Sequence, residues 1–173
     1  VPAGETSVIF HPYLYGSGLS TSARAGFYGL AGWHTRAHLL RALYEGVVFN
    51  HLDHIERLNR AGLDFEVARL AGGGAQSEVW AQMLADALAK PVEIAEGAES
   101  GTRGAALAAG IGAGIYADYE DAVRRGVRLA RRFEPDLHRH AIYSERYAEY
   151  KHLGNVMAGP WERLSRLEGS YKE

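Results

Sequence analysis

The sequence contains no cysteine, which excludes a disulfide framework and any zinc site built on thiolates. It also lacks a run of about 18 apolar residues, so no segment reads as a membrane-spanning helix. Charge of one sign is missing too: 19 Lys and Arg against 21 Asp and Glu leave a net charge of −2. That balance favours small-molecule or protein partners over nucleic acid or an anionic membrane. The first residues, Val1-Pro2-Ala3-Gly4, carry neither an initiator Met nor a signal-peptide pattern. A cytoplasmic protein is expected, and a chain opening on Val-Pro reads as a piece of something longer. What is present is a 47% hydrophobic content over 173 residues, enough for one ordinary domain with a real core, so a single compact unit is expected.

Along the chain, Ser7-Val8-Ile9-Phe10 is a short apolar run, followed by a glycine- and tyrosine-rich stretch, His11 to Gly32, that reads as a packed irregular loop. From Thr35 the pattern changes. Leu39, Leu40, Leu43, Val47, Val48, Ile55 and Leu58 recur at helical intervals, predicting a long helix capped by Thr35 and ended by Ala61-Gly62 after Arg60. Phe65 to Ala71 predicts a strand, Ser77 caps a helix carrying Val79, Trp80, Met83, Leu84, Ala87 and Leu88, and Pro91 stops it. Val92 to Ala95 alternates as a further strand, and GTRGAALAAGIGAG, 101–114, predicts a small-residue helix able to approach a neighbour closely. Ala122, Val123, Val127 and Ala130 predict one face of another helix, with Arg124, Arg125, Arg128, Arg131 and Arg132 opposite and Pro135 closing it. A last helix is expected from about Ile142, with Tyr143, Tyr147 and Tyr150 along it, then Gly159-Pro160 and a frayed charged tail. Strands alternating with helices make this an α/β chain.

Between the strand ending at Ala71 and the helix at Ser77 stand three glycines, Gly72-Gly73-Gly74. Without Cβ atoms such a turn lets a ligand lie against the backbone, beside the unpaired N–H groups of a helix N-terminus. Two readings of the local pattern stay open, a phosphate or nucleotide cradle and a tight turn that touches nothing. A Walker loop is excluded because no Lys-Ser/Thr follows the glycines. The G-x-G-x-x-G dinucleotide spacing fails here and fails again at Gly110-Ile111-Gly112-Ala113-Gly114.

Other residues invite chemistry and are read blandly. His34 and His38, and His51 and His54, share helix faces, but no third ligand is evident, so capping, surface exposure or structural hydrogen bonds are expected and no metal site is assigned. The five arginines read as a solvated face and the tyrosine stripe as packing. Glu45 sits among Leu43, Val47 and Val48 and is expected to hydrogen-bond at the helix surface or between segments, not to catalyse; Arg24 is expected to pair structurally.

The segment GGGAQSEVWAQMLADALAKPVEI resembles the second signature region of the FGGY carbohydrate kinases, the family of glycerol, xylulose and ribulose kinases. FHPYLYGSG, ARAGFYGL and TRAHLLRALYEGVVFN upstream, and ESGTRGAALAAGIGAGIY downstream, are similar to the family's blocks in its order, from about Phe10 to Tyr116. The first block is closest to the pentulose and L-xylulose kinase branch. The resemblance implies an actin-like, ribonuclease-H-like ATPase fold lacking its first strands. It implies that residues 1–173 form most of the C-terminal nucleotide-binding domain of a two-domain kinase using ATP and Mg²⁺. Gly73, Gly74 and Ala75 are then expected to border the nucleotide by backbone approach, with Gln76, Ser77 and Glu78 as side-chain candidates.

The family's Asp-x-Gly-Thr/Ser loop and its catalytic Asp belong to the N-terminal domain. No Asp in this chain is followed two residues later by Gly, so no catalytic residue is assigned. The implied partners are that N-terminal domain and a small sugar, a ketopentose or polyol. Exposed apolar surface and an open sheet edge are expected to favour self-association into a homo-oligomer. A different reading remains beside this one: a non-catalytic actin-like module that binds nucleotide or a protein.

Overall fold

The computed structural model describes residues 1–18, 20–97 and 99–169. The chain forms two compact units in place of the single one expected: Val1–Asp64 together with the chain from Leu137 onward, and Phe65–Asp136. The reason is that the last helix returns to pack on the first long helix, leaving the middle of the sequence to build its own sheet and core.

In the first unit, β1 (Ile9–His11) pairs antiparallel with β2 (Gly26–Tyr28), Phe10 opposite Phe27 with ring centroids 4.6 Å apart. The stretch expected to be an irregular loop therefore contains a strand. Helix α1 (Arg36–Arg60) follows Thr35 and ends at Ala61-Gly62, as its periodicity and caps predict. His38 reaches back so that its Nδ1 accepts the Thr35 N–H at 3.0 Å, and His34 Nδ1 accepts the Ala31 N–H at 2.8 Å, so both expected capping histidines serve the backbone. Gly46 lies where α1 crosses β1; a Cβ there would collide with the Phe10 carbonyl oxygen.

Helix α5 (Leu137–Gly169) begins earlier than expected and runs through Gly159-Pro160 without ending. Proline removes one intrahelical hydrogen bond, but Trp161, only 2% exposed, is anchored beside His11 and Tyr13 with ring centroids 5.6 Å from each. That burial carries the helix past the break. Tyr143, Tyr147 and Tyr150 face the core around Phe49, as packing. Glu45 is buried and pairs with Arg41 Nε at 2.6 Å and Arg146 Nη2 at 2.6 Å; Arg146 also donates to the Val8 carbonyl at 2.9 Å. A carboxylate that deep is tolerated because both oxygens have charged partners. Arg24 donates to the Thr21 and Ala23 carbonyls and to Ser165 Oγ, the structural pairing expected of it.

The second unit is a three-stranded sheet in the order β3 (Ala68–Leu70), β4 (Val92–Ala95), β5 (Leu129–Phe133). β3 is shorter than the expected Phe65–Ala71, because the Phe65 carbonyl accepts from the Lys90 ammonium and the ladder starts only where Ala68 N–H meets the Pro91 carbonyl. β3 and β4 are parallel and joined by α2 (Glu78–Leu88), a right arrangement for a crossover unit. Ser77 caps α2, its hydroxyl accepting the Trp80 N–H at 3.3 Å, and Asp86, buried in its last turn, accepts from Gln82 and from the Asp136 N–H. After β4 come α3 (Ser100–Gly112) and α4 (Tyr119–Gly126). Gly110 of α3 packs against the Tyr116 ring, the close approach its small side chains predict.

One predicted helix is corrected here. The arginine-rich helix carries only Tyr119–Gly126; Val127 is already extended and Leu129–Phe133 is a strand antiparallel to β4. Gly126 weakens the helix, and pairing with β4 satisfies the backbone better than another helical turn would. The arginines are accordingly not one solvated face. Arg124 and Arg125 bond Asp121 and hold its carboxyl below the usual carboxylate range, while Arg132 and Arg69 flank the buried Glu93 across neighbouring strands.

Candidate functional site

A cleft of about 260 Å³ opens in the second unit at the carboxyl ends of the parallel strands β3 and β4. Ligands of open α/β sheets bind outside the carboxyl ends of parallel strands, where the loops leave for their helices. Two such loops meet here. Leu70 gives way to Ala71-Gly72 and the 3₁₀ turn Gly73–Gln76, and Ile94-Ala95 gives way to Glu96-Gly97 and the start of α3 at Ser100.

Gly72 has φ +81° and Gly97 φ +80°, conformations that a side chain rarely adopts, so both strands leave the sheet by a turn only glycine makes easily. A Cβ built on Gly72 or Gly73 would meet no protein atom within 4 Å. The bare backbone of the turn thus faces open space, which fits a flat ligand lying against it. Gly74 is different: a Cβ there would stand 2.9 Å from the Trp80 ring, so its glycine makes room for Trp80. Gly97 likewise makes room for Arg103, whose Nη2 lies 2.5 Å from the position a Cβ would take.

The six candidates of the turn divide by what they touch. Ala75 and Gln76 line the cleft, together with Gly72. Gly73 and Gly74 shape the turn between them. The Ser77 hydroxyl is occupied as the cap of α2, and the Glu78 carboxylate is held by Arg131, Nη1 to Oε1 2.9 Å. Arg131 and Arg103 enter the cleft wall from β5 and α3, giving it two guanidinium groups. Neither was among the candidates. The helical reading of its segment hides Arg131, and Leu129-Ala130-Arg131-Arg132-Phe133 carries no apolar–polar alternation that would reveal the strand. Gly97 and Arg103 had a visible signal, a second glycine turn directly after a predicted strand. Among the described residues no cluster of three or more His, Asp or Glu side chains could hold a metal ion.

Residues 3–113 match the family model described as FGGY family of carbohydrate kinases, C-terminal domain. The chain is 41% identical over 164 residues to the L-xylulose/3-keto-L-gulonate kinase of Escherichia coli, covering 95% of this chain and 33% of that one. Among solved structures, xylulose kinase from Rhodospirillum rubrum superposes with a TM-score of 0.81 at 30% identity, over 94% of this chain and 33% of that chain. Xylulose kinase from Lactobacillus acidophilus does so with a TM-score of 0.85 at 25% identity, over 95% and 34%. The chain therefore spans about a third of the length of these relatives. Sequence and fold agree: this chain belongs to the FGGY family of carbohydrate kinases, as its C-terminal domain.

Proposed function

We propose that the cleft holds the nucleotide of an ATP-dependent sugar kinase whose acceptor is a small sugar, a ketopentose or polyol; the Escherichia coli relative's name specifies L-xylulose and 3-keto-L-gulonate. The observation that carries this is the bare Gly72 backbone at the carboxyl ends of two parallel strands, in a cleft flanked by Arg103 and Arg131. Glycine backbone admits the flat face of a nucleoside. The overall reaction moves the γ-phosphoryl group of ATP to a sugar hydroxyl, leaving ADP. In phosphoryl transfer, positioning and charge stabilisation supply most of the acceleration. This chain's residues bind and orient the nucleotide. The hydroxyl proton, the grip on the phosphates and a Mg²⁺ ion are assigned to an N-terminal domain and to strands that would precede this segment.

The test has two parts. ADP titrated calorimetrically into the protein should bind, and replacing Gly72 with Val should abolish binding without unfolding the sheet. Joined to its N-terminal domain, the protein should phosphorylate a ketopentose, whereas the 173-residue chain alone should show no turnover. Nucleotide binding without any sugar phosphorylation by the joined protein would favour the binding-module reading.

A further inference from the structure

We propose that Arg131 is the positioning residue of the nucleotide cleft, holding the glycine turn to the sheet through Glu78 and the Ala75 carbonyl; this rests on the nucleotide reading above. Three consecutive glycines lose more backbone freedom on ordering than any other tripeptide, so a turn built from them needs external restraint to keep one shape. The hydrogen bonds inside the turn include Ala75 N–H to the Gly72 carbonyl at 3.1 Å and Ser77 N–H to the Gly74 carbonyl at 3.2 Å. Both are local and tie the turn only to itself.

Arg131 supplies the long-range tether. Its Nη2 donates to the Ala75 carbonyl at 3.1 Å and its Nη1 to Glu78 Oε1 at 2.9 Å. One rigid fork therefore grips the turn and the first turn of α2 at once. Its own backbone is fixed, since Arg131 stands opposite Ile94 in the β4–β5 ladder. Lysine, with a single ammonium, reproduces one of the two contacts but not their geometry.

The exposure of the pair separates positioning from stability. The Glu78 side chain is 69% exposed and that of Arg131 37%, and an ion pair so wetted contributes little to folding. Its effect should appear in the shape of the turn and therefore in nucleotide affinity. Glu78, a residue the family resemblance offers as a nucleotide contact, acts in this chain through Arg131.

The experiment compares wild type, Arg131→Ala, Arg131→Lys and Glu78→Ala in the full-length kinase proposed above. It measures the Kd for ADP, the KM for ATP and for sugar, kcat and the urea midpoint. Arg131→Ala should raise both the Kd for ADP and the KM for ATP at least tenfold, with kcat and the sugar KM within twofold and the urea midpoint unchanged. Arg131→Lys and Glu78→Ala should fall between, and the double variant Arg131→Ala with Glu78→Ala should be no worse than Arg131→Ala alone. Wild-type affinity for ADP in Arg131→Ala overturns the inference and leaves the nucleotide reading standing. A lowered urea midpoint in proportion to lost affinity overturns it in favour of a structural role. No ADP binding by the wild type removes the nucleotide reading and this inference with it.

Discussion

Replacing Gly46 with Ala sets two physical effects of opposite sign against each other. In an exposed helix interior the change would stabilise, because alanine is about 1 kcal/mol better than glycine in helical propensity. At Gly46 the new methyl would enter a space already filled: it would overlap the Phe10 carbonyl oxygen and come within 3.0 Å of its ring and 3.1 Å of its carbonyl carbon. The obstructing atoms are backbone of β1, itself held by β2, so relief requires the helix or the strand to move. Overpacking of that kind costs roughly 1–3 kcal/mol, more when backbone must shift. Overlap with backbone puts the cost at the upper end, about 3 kcal/mol, so the net loss is about 2 kcal/mol after the propensity gain of about 1 is subtracted. Urea unfolding of wild type and Gly46→Ala, followed by near-ultraviolet circular dichroism from the aromatic core, measures it. Gly104→Ala is the control: that residue is also inside a helix but meets nothing within 4 Å, and it should gain up to about 1 kcal/mol. A Gly46→Ala protein as stable as wild type would refute the close packing of α1 on β1.

Ala89 ends α2 with φ 53°, a left-handed conformation that costs a residue with a Cβ about 1 kcal/mol, so Ala89→Gly should raise the urea midpoint of the second unit. Asp86→Ala should destabilise that unit by about 2 kcal/mol in the same assay, because the buried carboxylate is the acceptor for Gln82 Nε2 at 2.6 Å and the Asp136 N–H at 2.9 Å. Burial lowers the pKa of His11, outweighing the 2.9 Å hydrogen bond of its Nε2 to the Tyr150 carbonyl. The unfolded chain then takes up a proton before the folded one as pH falls, so stability is full above about pH 6.5 and declines below it, by at most about 1.4 kcal/mol per pH unit for this group. His11→Gln should flatten the difference between urea midpoints measured at pH 7.5 and 5.5.

Elements whose signals are local were legible. Thr35 and Ala61-Gly62 bound α1, Ser77 and Pro91 bound α2, and Val92 to Ala95 alternates, because caps, breakers and pleat act over a few residues. Glu45 was legible as an interior carboxylate that must be paired, though Arg146, its partner from α5, lies a hundred residues away in the chain and could not be named. The same distance hides the two-unit organisation, which depends on α5 returning to α1. Nor does Gly159-Pro160 announce that Trp161 is buried; the local break is real, and a tertiary contact overrides it.

The misreading of β5 reaches furthest, because it decides what the arginines do. Val123, Val127 and Ala130 recur at helical spacing, and on a helix Arg131 and Arg132 would fall side by side on the wet face. A strand sends successive side chains to opposite faces. Arg131 then shares a face with Phe133, which packs against the cluster of Ala75, Ala81 and Ile94 beneath α2, while Arg132 turns to Glu93 and Glu134. Placing Arg131 over that cluster brings its guanidinium to the Ala75 carbonyl and to Glu78, at the rim of the cleft. The period of five residues thus separates a solvated surface from a tether on the glycine turn. What selects the period is the unpaired edge of β4, earlier in the chain, since an open strand edge gains a hydrogen-bond ladder from β5 and a further helical turn would leave it bare.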